Sequence, residues 1–334
     1  MFDKPYIIAE AAQGYAPINK SIPSIDIALL LVRAAASSGA NAVKFQIIYV
    51  DELAEPGYQH YDLFKNLEMS VSDWSIIRNE AKNLSIDFHA DIFGSRSLRV
   101  AKNINADALK IHSTSFFDRK LFRDASKLNK PIYMSLGGIR LNEICDFINN
   151  DLKKSRSNLI LMHGFQSEPT PIEDNHLSRI PSLVKETGLE VGFMDHADGG
   201  GDDYINLSIL ALAYGVTYFE KHISLDRDLM LEDYVSAIAP QEFSTYVKAI
   251  KRLYPAIGSS DLRLSSKEKR YRDGAVKKII ANKNIKKGQK VKYSDITSIR
   301  RPKQTGLFDF SQVVNRIAKK NIKKGSLIKK GFIK

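Results

Sequence analysis

Eight short runs rich in β-branched and apolar residues recur through the first 220 residues, at 6–10, 42–46, 86–90, 108–112, 131–135, 158–162, 190–194 and 216–220. Helix-length segments separate them. Segments 25–38, 74–84, 121–128, 177–185 and 240–254 place apolar residues at helical intervals, and the first of them stops at Gly39. Strand and helix alternating eight times over about 250 residues predict a (β/α)8 TIM barrel, with a doubly wound open sheet as the alternative.

The choice matters because barrel enzymes gather their chemistry at the carboxyl ends of the strands. At or just beyond the ends of these runs stand Glu10, Lys44, Gln46, Asp91, Lys110, Ser113, Ser135, Gln166, Glu168, His196, Glu220 and His222, few of which suit a packed interior. Lys44, in Ala-Val-Lys-Phe-Gln, and Lys110, in Ala-Leu-Lys-Ile-His, lie within the strands themselves. An ammonium there must point into the barrel mouth, be neutralised, or snorkel along the outer face. His196 and His222 are 26 residues apart, the length of one strand, one helix and one strand. On neighbouring parallel strands the two imidazoles would leave one sheet edge side by side, and two neutral nitrogens with an open coordination sphere suit a catalytic divalent metal. Two unrelated loop histidines fit the same spacing.

A hydrophobic content of 43% with 26% charge over 334 residues is that of a soluble globular chain with room for a large domain and a small one. No apolar run is long enough to span a bilayer and no leader-like segment opens the chain, which predicts a cytoplasmic protein with no membrane partner. Cys145, the single cysteine, has no thiol to pair with. The net charge of +12 is lopsided: residues 263–334 hold 23 Lys and Arg against 4 Asp and Glu, or +19, which leaves 27 against 34, or −7, in the first 262. A solvated lysine surface, a lid that attracts an anionic substrate, and a nucleic-acid contact all fit such a charge. We expect no nucleic-acid partner, because a binding protein would not need polar groups at nearly every barrel mouth.

These features divide the chain into a barrel domain, 1–262, a linker, 263–276, and a small, mainly β domain, 277–334. The last contains a repeat, Asn284-Ile285-Lys286-Lys287-Gly288 and Asn321-Ile322-Lys323-Lys324-Gly325, as two copies of one small β unit would. Val291, Ile296, Ile299, Leu307, Phe308, Val313, Val314, Ile317 and Ile328 are its expected core.

Several segments recur in order along nearly the whole chain: Ile7-Ile8-Ala9-Glu10, Gly39-Ala40-Asn41-Ala42-Val43-Lys44-Phe45-Gln46, Leu109-Lys110-Ile111-His112-Ser113, Lys130-Pro131-Ile132 with Ser135, Pro169-Thr170-Pro171, Asp195-His196, Glu220-Lys221-His222 and Pro240-Gln241-Glu242-Phe243. Together they resemble the sialic acid synthase family, and the C-terminal domain resembles that family's antifreeze-like (SAF) domain. The resemblance implies condensation of phosphoenolpyruvate with an open-chain hexose or N-acetylhexosamine aldehyde, with release of phosphate and formation of a nonulosonic acid. It implies a divalent metal, Mn2+ or Mg2+, between His196 and His222, and a phosphoenolpyruvate site drawing on Lys44, Lys110, Ser113, Ser135 and Gln166. It makes Glu10 and Asp233 the candidates for proton transfer, while the strand-end positions of Gln46, Asp91 and Glu168 put them beside the substrates. It also implies a domain-swapped homodimer in which Arg301 reaches the partner's barrel. A metal-dependent barrel hydrolase or isomerase acting on an acidic or phosphorylated sugar is the alternative. The chain departs from the family pattern at Gly14-Tyr15-Ala16-Pro17, Ala90-Asp91-Ile92-Phe93, Ser135-Leu136-Gly137-Gly138 and Glu168-Pro169. These positions surround the sugar more than the metal, which points to a modified or different acceptor.

Overall fold

The computed structural model describes residues 5–16, 24–152, 159–301 and 305–334, so that Pro17 and Asn158 of the sequence reading lie outside the described residues. Two compact units, Met1–Gly258 and Ser259–Lys334, divide the chain.

In the first unit eight parallel strands close into a barrel in chain order: β1 (Tyr6–Ala12), β2 (Ala42–Gln46), β3 (Asp87–Ile92), β4 (Ala108–Ile111), β5 (Ile132–Ser135), β6 (Leu159–His163), β7 (Glu190–Asp195) and β8 (Tyr218–His222). Helices α1 (Ser24–Ser37), α3 (Val71–Asn83), α4 (Ser95–Asn103), α5 (Arg119–Ser126), α6 (Leu141–Asp151), α7 (Arg179–Thr187), α8 (Asn206–Ala213) and α9 (Pro240–Leu253) follow successive strands, and a short α2 (Tyr61–Asn66) precedes α3. The open-sheet alternative is excluded by the closure of β1 on β8. Strand β8 runs two residues beyond its sequence expectation because Glu10 and His222 are register partners, so the ladder with β1 continues to the histidine. Helix α3 begins three residues early for a local reason. Ser70 accepts from the Asp73 amide while the Asp73 carboxylate accepts from the Ser70 amide, a capping box that fixes the first turn.

The period of two along each strand sorts the side chains. Ile7, Val43, Phe45, Phe88, Leu109, Leu161, Phe193 and Phe219 point outward and form one continuous core with the helices. Inward, Tyr6, Ile8, Ala42, Ala108, Tyr133, Ile160, Met162, Met194 and Tyr218 fill the barrel's lower interior. The Tyr6 hydroxyl donates to Asp87 at 2.5 Å and lies 3.1 Å from His89 Nε2, and the His89 ring packs on Tyr6 and Tyr133. This aromatic and apolar plug closes the barrel below its polar mouth.

In the second unit β9 (Lys278–Ala281) pairs antiparallel with β10 (Ile296–Ile299). Residues 266–275, within the stretch expected as a linker, form a helix, α10 (Ser266–Ala275), capped by Ser265 and Glu268. The two repeat copies clasp each other: Asn284 Oδ1 accepts from the Lys324 amide at 2.9 Å, Asn321 Oδ1 accepts from the Lys287 amide at 2.8 Å, and Ile285 bridges Ile322. Of the expected core, Val291, Ile296, Val313 and Ile328 are buried and Leu307 and Val314 pack against them. Ile299, Phe308 and Ile317 are instead exposed. Ile279, Ala281, Ile285, Ala318, Ile322 and Ile333 complete the buried cluster.

Candidate active site

Nine of the thirteen residues expected at the site line one cavity of about 190 Å³ at the barrel mouth: Glu10, Gln46, Asp91, Lys110, Gln166, Glu168, His196, His222 and Asp233. Lys44 and Ser135 are completely buried and do not line it, and Ser113 stands beside it. Arg301, the thirteenth, belongs to the second unit. A larger cleft of about 700 Å³ opens between the loops after β5 and β6, but Leu136, Ile139, Leu141 and Leu183 make it apolar and none of the mouth's charged groups reaches it.

The inward face of the strands supplies the charges. Lys44 on β2 pairs with Glu10 on β1, lies 3.5 Å from Asp91 Oδ2 on β3 and 3.6 Å from Glu220 Oε1 on β8. Lys110 on β4 donates to Glu220 Oε1 at 2.5 Å and approaches Met194 Sδ at 3.1 Å. The anion that these buried ammonium groups require is thus already built into the protein. Three carboxylates face two ammonium groups, a formal excess of one negative charge in a place where an unmatched charge costs several kcal/mol. Burial alone would raise the Glu220 carboxyl, but Lys110 and Lys44 draw it down to about 2. Burial lowers Lys44 to about 8 against the opposing pull of Glu220.

His196 follows β7 and His222 ends β8, so the two rings meet across one strand pair with centroids 5.1 Å apart. Burial, and then the positive charge of Lys110, holds His196 down to about 3; burial and the neighbouring His196 hold His222 well below the ordinary imidazole range. Both rings are therefore neutral and offer lone pairs. His196 Nδ1, Asp91 Oδ1 and Glu220 Oε2 are buried without a hydrogen-bond partner. Among the described residues no group of three or more His, Cys, Asp or Glu is arranged to hold a metal ion.

Loops build the outer wall. Gly164 follows β6, and a Cβ there would fall 2.4 Å from the Met194 carbonyl oxygen, so only glycine lets this loop press against β7 and turn Gln166 and Glu168 toward the cavity. Gln166 accepts from Ser113 Oγ at 2.7 Å and meets His112 Nε2 at 2.9 Å. Glu168 hydrogen-bonds Asp233, and although its surface is open to solvent, the surrounding protein and then the Asp233 charge push it up to about 8. Asp233 is likewise raised by burial.

Three lining residues had no role in the sequence reading: Gln13, His112 and Glu220. Glu220 was visible as a strand-end polar residue, and its inward position follows from the alternation Tyr218, Glu220, His222. Gln13 carries no sequence signal, because it reaches the cavity through an irregularity of β1 between Glu10 and Ala12. There its amide donates to Gln46 Oε1 at 2.9 Å.

Residues 31–261 match the NeuB family, and residues 277–334 match the SAF domain. The chain belongs to the NeuB family. Within reach of this NeuB-family protein is the N,N'-diacetyllegionaminic acid synthase of Campylobacter jejuni, 27% identical, with 98% of this chain and 99% of that one covered. The pseudaminic acid synthase of Campylobacter jejuni is also 27% identical, over 89% of this chain and 87% of that one. The N-acetylneuraminic acid synthetase of Leptospira borgpetersenii, whose crystal structure holds citrate, superposes with a TM-score of 0.74 at 27% identity, covering 82% of this chain and 93% of that one. These relatives of the NeuB-family chain are synthases, not hydrolases or isomerases.

Proposed function

We propose that this protein is a nonulosonic acid synthase that joins phosphoenolpyruvate to an open-chain sugar aldehyde, as a cytoplasmic homodimer that needs Mn2+ or Mg2+. One observation carries the reading: the imidazoles of His196 and His222, the buried ammonium of Lys110 and the carboxyls of Glu168 and Asp233 converge on a single cavity. The names of the relatives, legionaminic, pseudaminic and neuraminic acid synthases, support it.

His196 and His222 would hold the divalent cation. The fit rests on their neutral nitrogens, on the partnerless His196 Nδ1 and on the excess negative charge below them. Bound there, a cation supplies Lewis-acid polarisation of the aldehyde carbonyl. Lys110 faces the cavity and would bind the phosphate or carboxylate of phosphoenolpyruvate, exchanging part of its contact with Glu220 for the substrate. Lys44, which does not line the cavity, would hold Glu10, Asp91 and Glu220 in place. Ser113 would orient Gln166, and Ser135 would pack beneath the substrate.

Carbon 3 of phosphoenolpyruvate attacks the aldehyde carbon, the aldehyde oxygen takes a proton to become a hydroxyl, water adds at carbon 2 with loss of a proton, and phosphate leaves with its bridging oxygen. The Glu168–Asp233 pair is our candidate to exchange these protons. Glu10 is not, since one of its oxygens pairs with Lys44 and the other accepts the Ala12 amide at 2.8 Å. By resemblance, Arg301 would come from the partner's SAF domain. Inorganic phosphate released from phosphoenolpyruvate, measured with Mn2+ or Mg2+ against a panel of hexoses and N-acetylhexosamines, tests the reading. Release that depends on one acceptor supports it, and no release with any of them would falsify it.

A further inference from the structure

The two strand ends that carry His196 and His222 are tied together on the outer face of the barrel. Asp195 and Lys221 are register partners and form the last rung of the β7–β8 ladder. They point away from the cavity, because Glu220 and His222 on the same strand line it. Both side chains are fully buried, with Lys221 Nζ 3.2 Å from Asp195 Oδ1. The Lys221 ammonium also donates to the Ala197 carbonyl at 3.1 Å, while Asp195 Oδ1 accepts from the Ala197 amide at 2.9 Å. From the strand that ends in His222, one lysine thus grips the residues on both sides of His196. The His196 carbonyl is pinned in turn by the Ser236 hydroxyl and the Thr170 amide, each at 2.8 Å.

We propose that Asp195 and Lys221 are positioning residues that set the separation of His196 and His222 for a divalent cation. The proposal rests on the metal reading above. Beyond Asp195 the β7–β8 ladder has no further rung, so no strand pairing joins His196 directly to His222. A buried ion pair is a poor device for stability alone, since apolar residues of the same shape often serve as well. Here it spans the strand pair whose ends must be held at a set distance, and outer partners of this kind commonly tune a metal site.

The test is Mn2+ affinity measured by calorimetry, read beside thermal unfolding. The wild-type chain should bind Mn2+ and His196→Ala should not, which checks the metal reading separately. The double variant Asp195→Asn/Lys221→Met leaves no unmatched buried charge, and it should unfold near the wild-type temperature while its Mn2+ dissociation constant rises about 10- to 100-fold. Ser208→Ala cuts the 2.8 Å hydrogen bond to Tyr246 in the same outer layer, and it should lower the unfolding temperature with Mn2+ affinity unchanged. Unchanged affinity in the folded double variant overturns the positioning role. A wild-type chain that binds no Mn2+ overturns the metal reading and this proposal with it. If the double variant does not fold, Lys221→Arg keeps the charge but alters the head group: weaker Mn2+ binding at an unaltered unfolding temperature supports the brace, and unaltered binding overturns it.

Discussion

At the barrel mouth Lys44 and Lys110 are buried to 0% and 2% exposure, each against carboxylates, whereas residues 263–334 hold 23 Lys and Arg against 4 Asp and Glu, most of the described ones exposed. In the second unit the ion pair of Lys283 with Asp295, at 2.7 Å, leaves the lysine 57% exposed. The two regions separate number of charges from position of charges. Count sets the long-range field of the C-terminal unit, which salt screens. Position gives a few mouth residues energies that a surface charge never reaches.

The largest effect should come from the mouth. His222→Ala should raise the reaction barrier by several kcal/mol if a cation held there polarises the aldehyde. Single-turnover phosphate release beside a thermal melt reads this, and a variant of near-normal rate would erase the functional half of the contrast. Next, Lys110→Met removes the closest partner of buried Glu220 and should cost about 3–5 kcal/mol of stability, measured by urea unfolding. A loss no greater than that of a surface lysine would mean the mouth charges are solvated after all. The third effect is pH. Glu220 is held down to about 2 from its ordinary 4.5, so its contribution is fully present above 4.5 and is lost as pH falls through about 2. Urea midpoints of the whole chain should fall across that window, and Glu220→Gln should flatten the fall. Smallest of all, Lys287→Ala or Lys319→Ala should shift stability by less than about 0.5 kcal/mol. Added salt should stabilise the C-terminal unit by screening its self-repulsion, and hydrogen exchange at β9 and β10 would show this.

Much of the barrel could be read from the chain because its signals are local. Alternation over eight runs carries both the strands and, through period two, the inward set of Glu10, Lys44, Lys110 and His222. What could not be read are pairings across the sheet. Nothing near Lys110 in sequence says that Glu220, 110 residues later, takes its ammonium. Nothing near Gln13 says that an irregular strand end aims it at Gln46. The C-terminal core was harder, because short strands and isolated bridges give hydrophobicity no period to follow. Ile299 and Phe308 are as apolar as Ile285 and Ile322, and only the clasp between the two repeat copies decides which pair is buried.

The plug of Tyr6, His89, Tyr133 and Tyr218 under the charged layer makes the barrel a blind well rather than a tunnel. Every molecule that enters must leave by the way it came. In a well of about 190 Å³ that is closed at the bottom, whatever sits against the charged layer is covered by whatever binds above it. A group seated at the bottom therefore clears the mouth only after whatever lies above it has gone, so one opening serves both entry and exit.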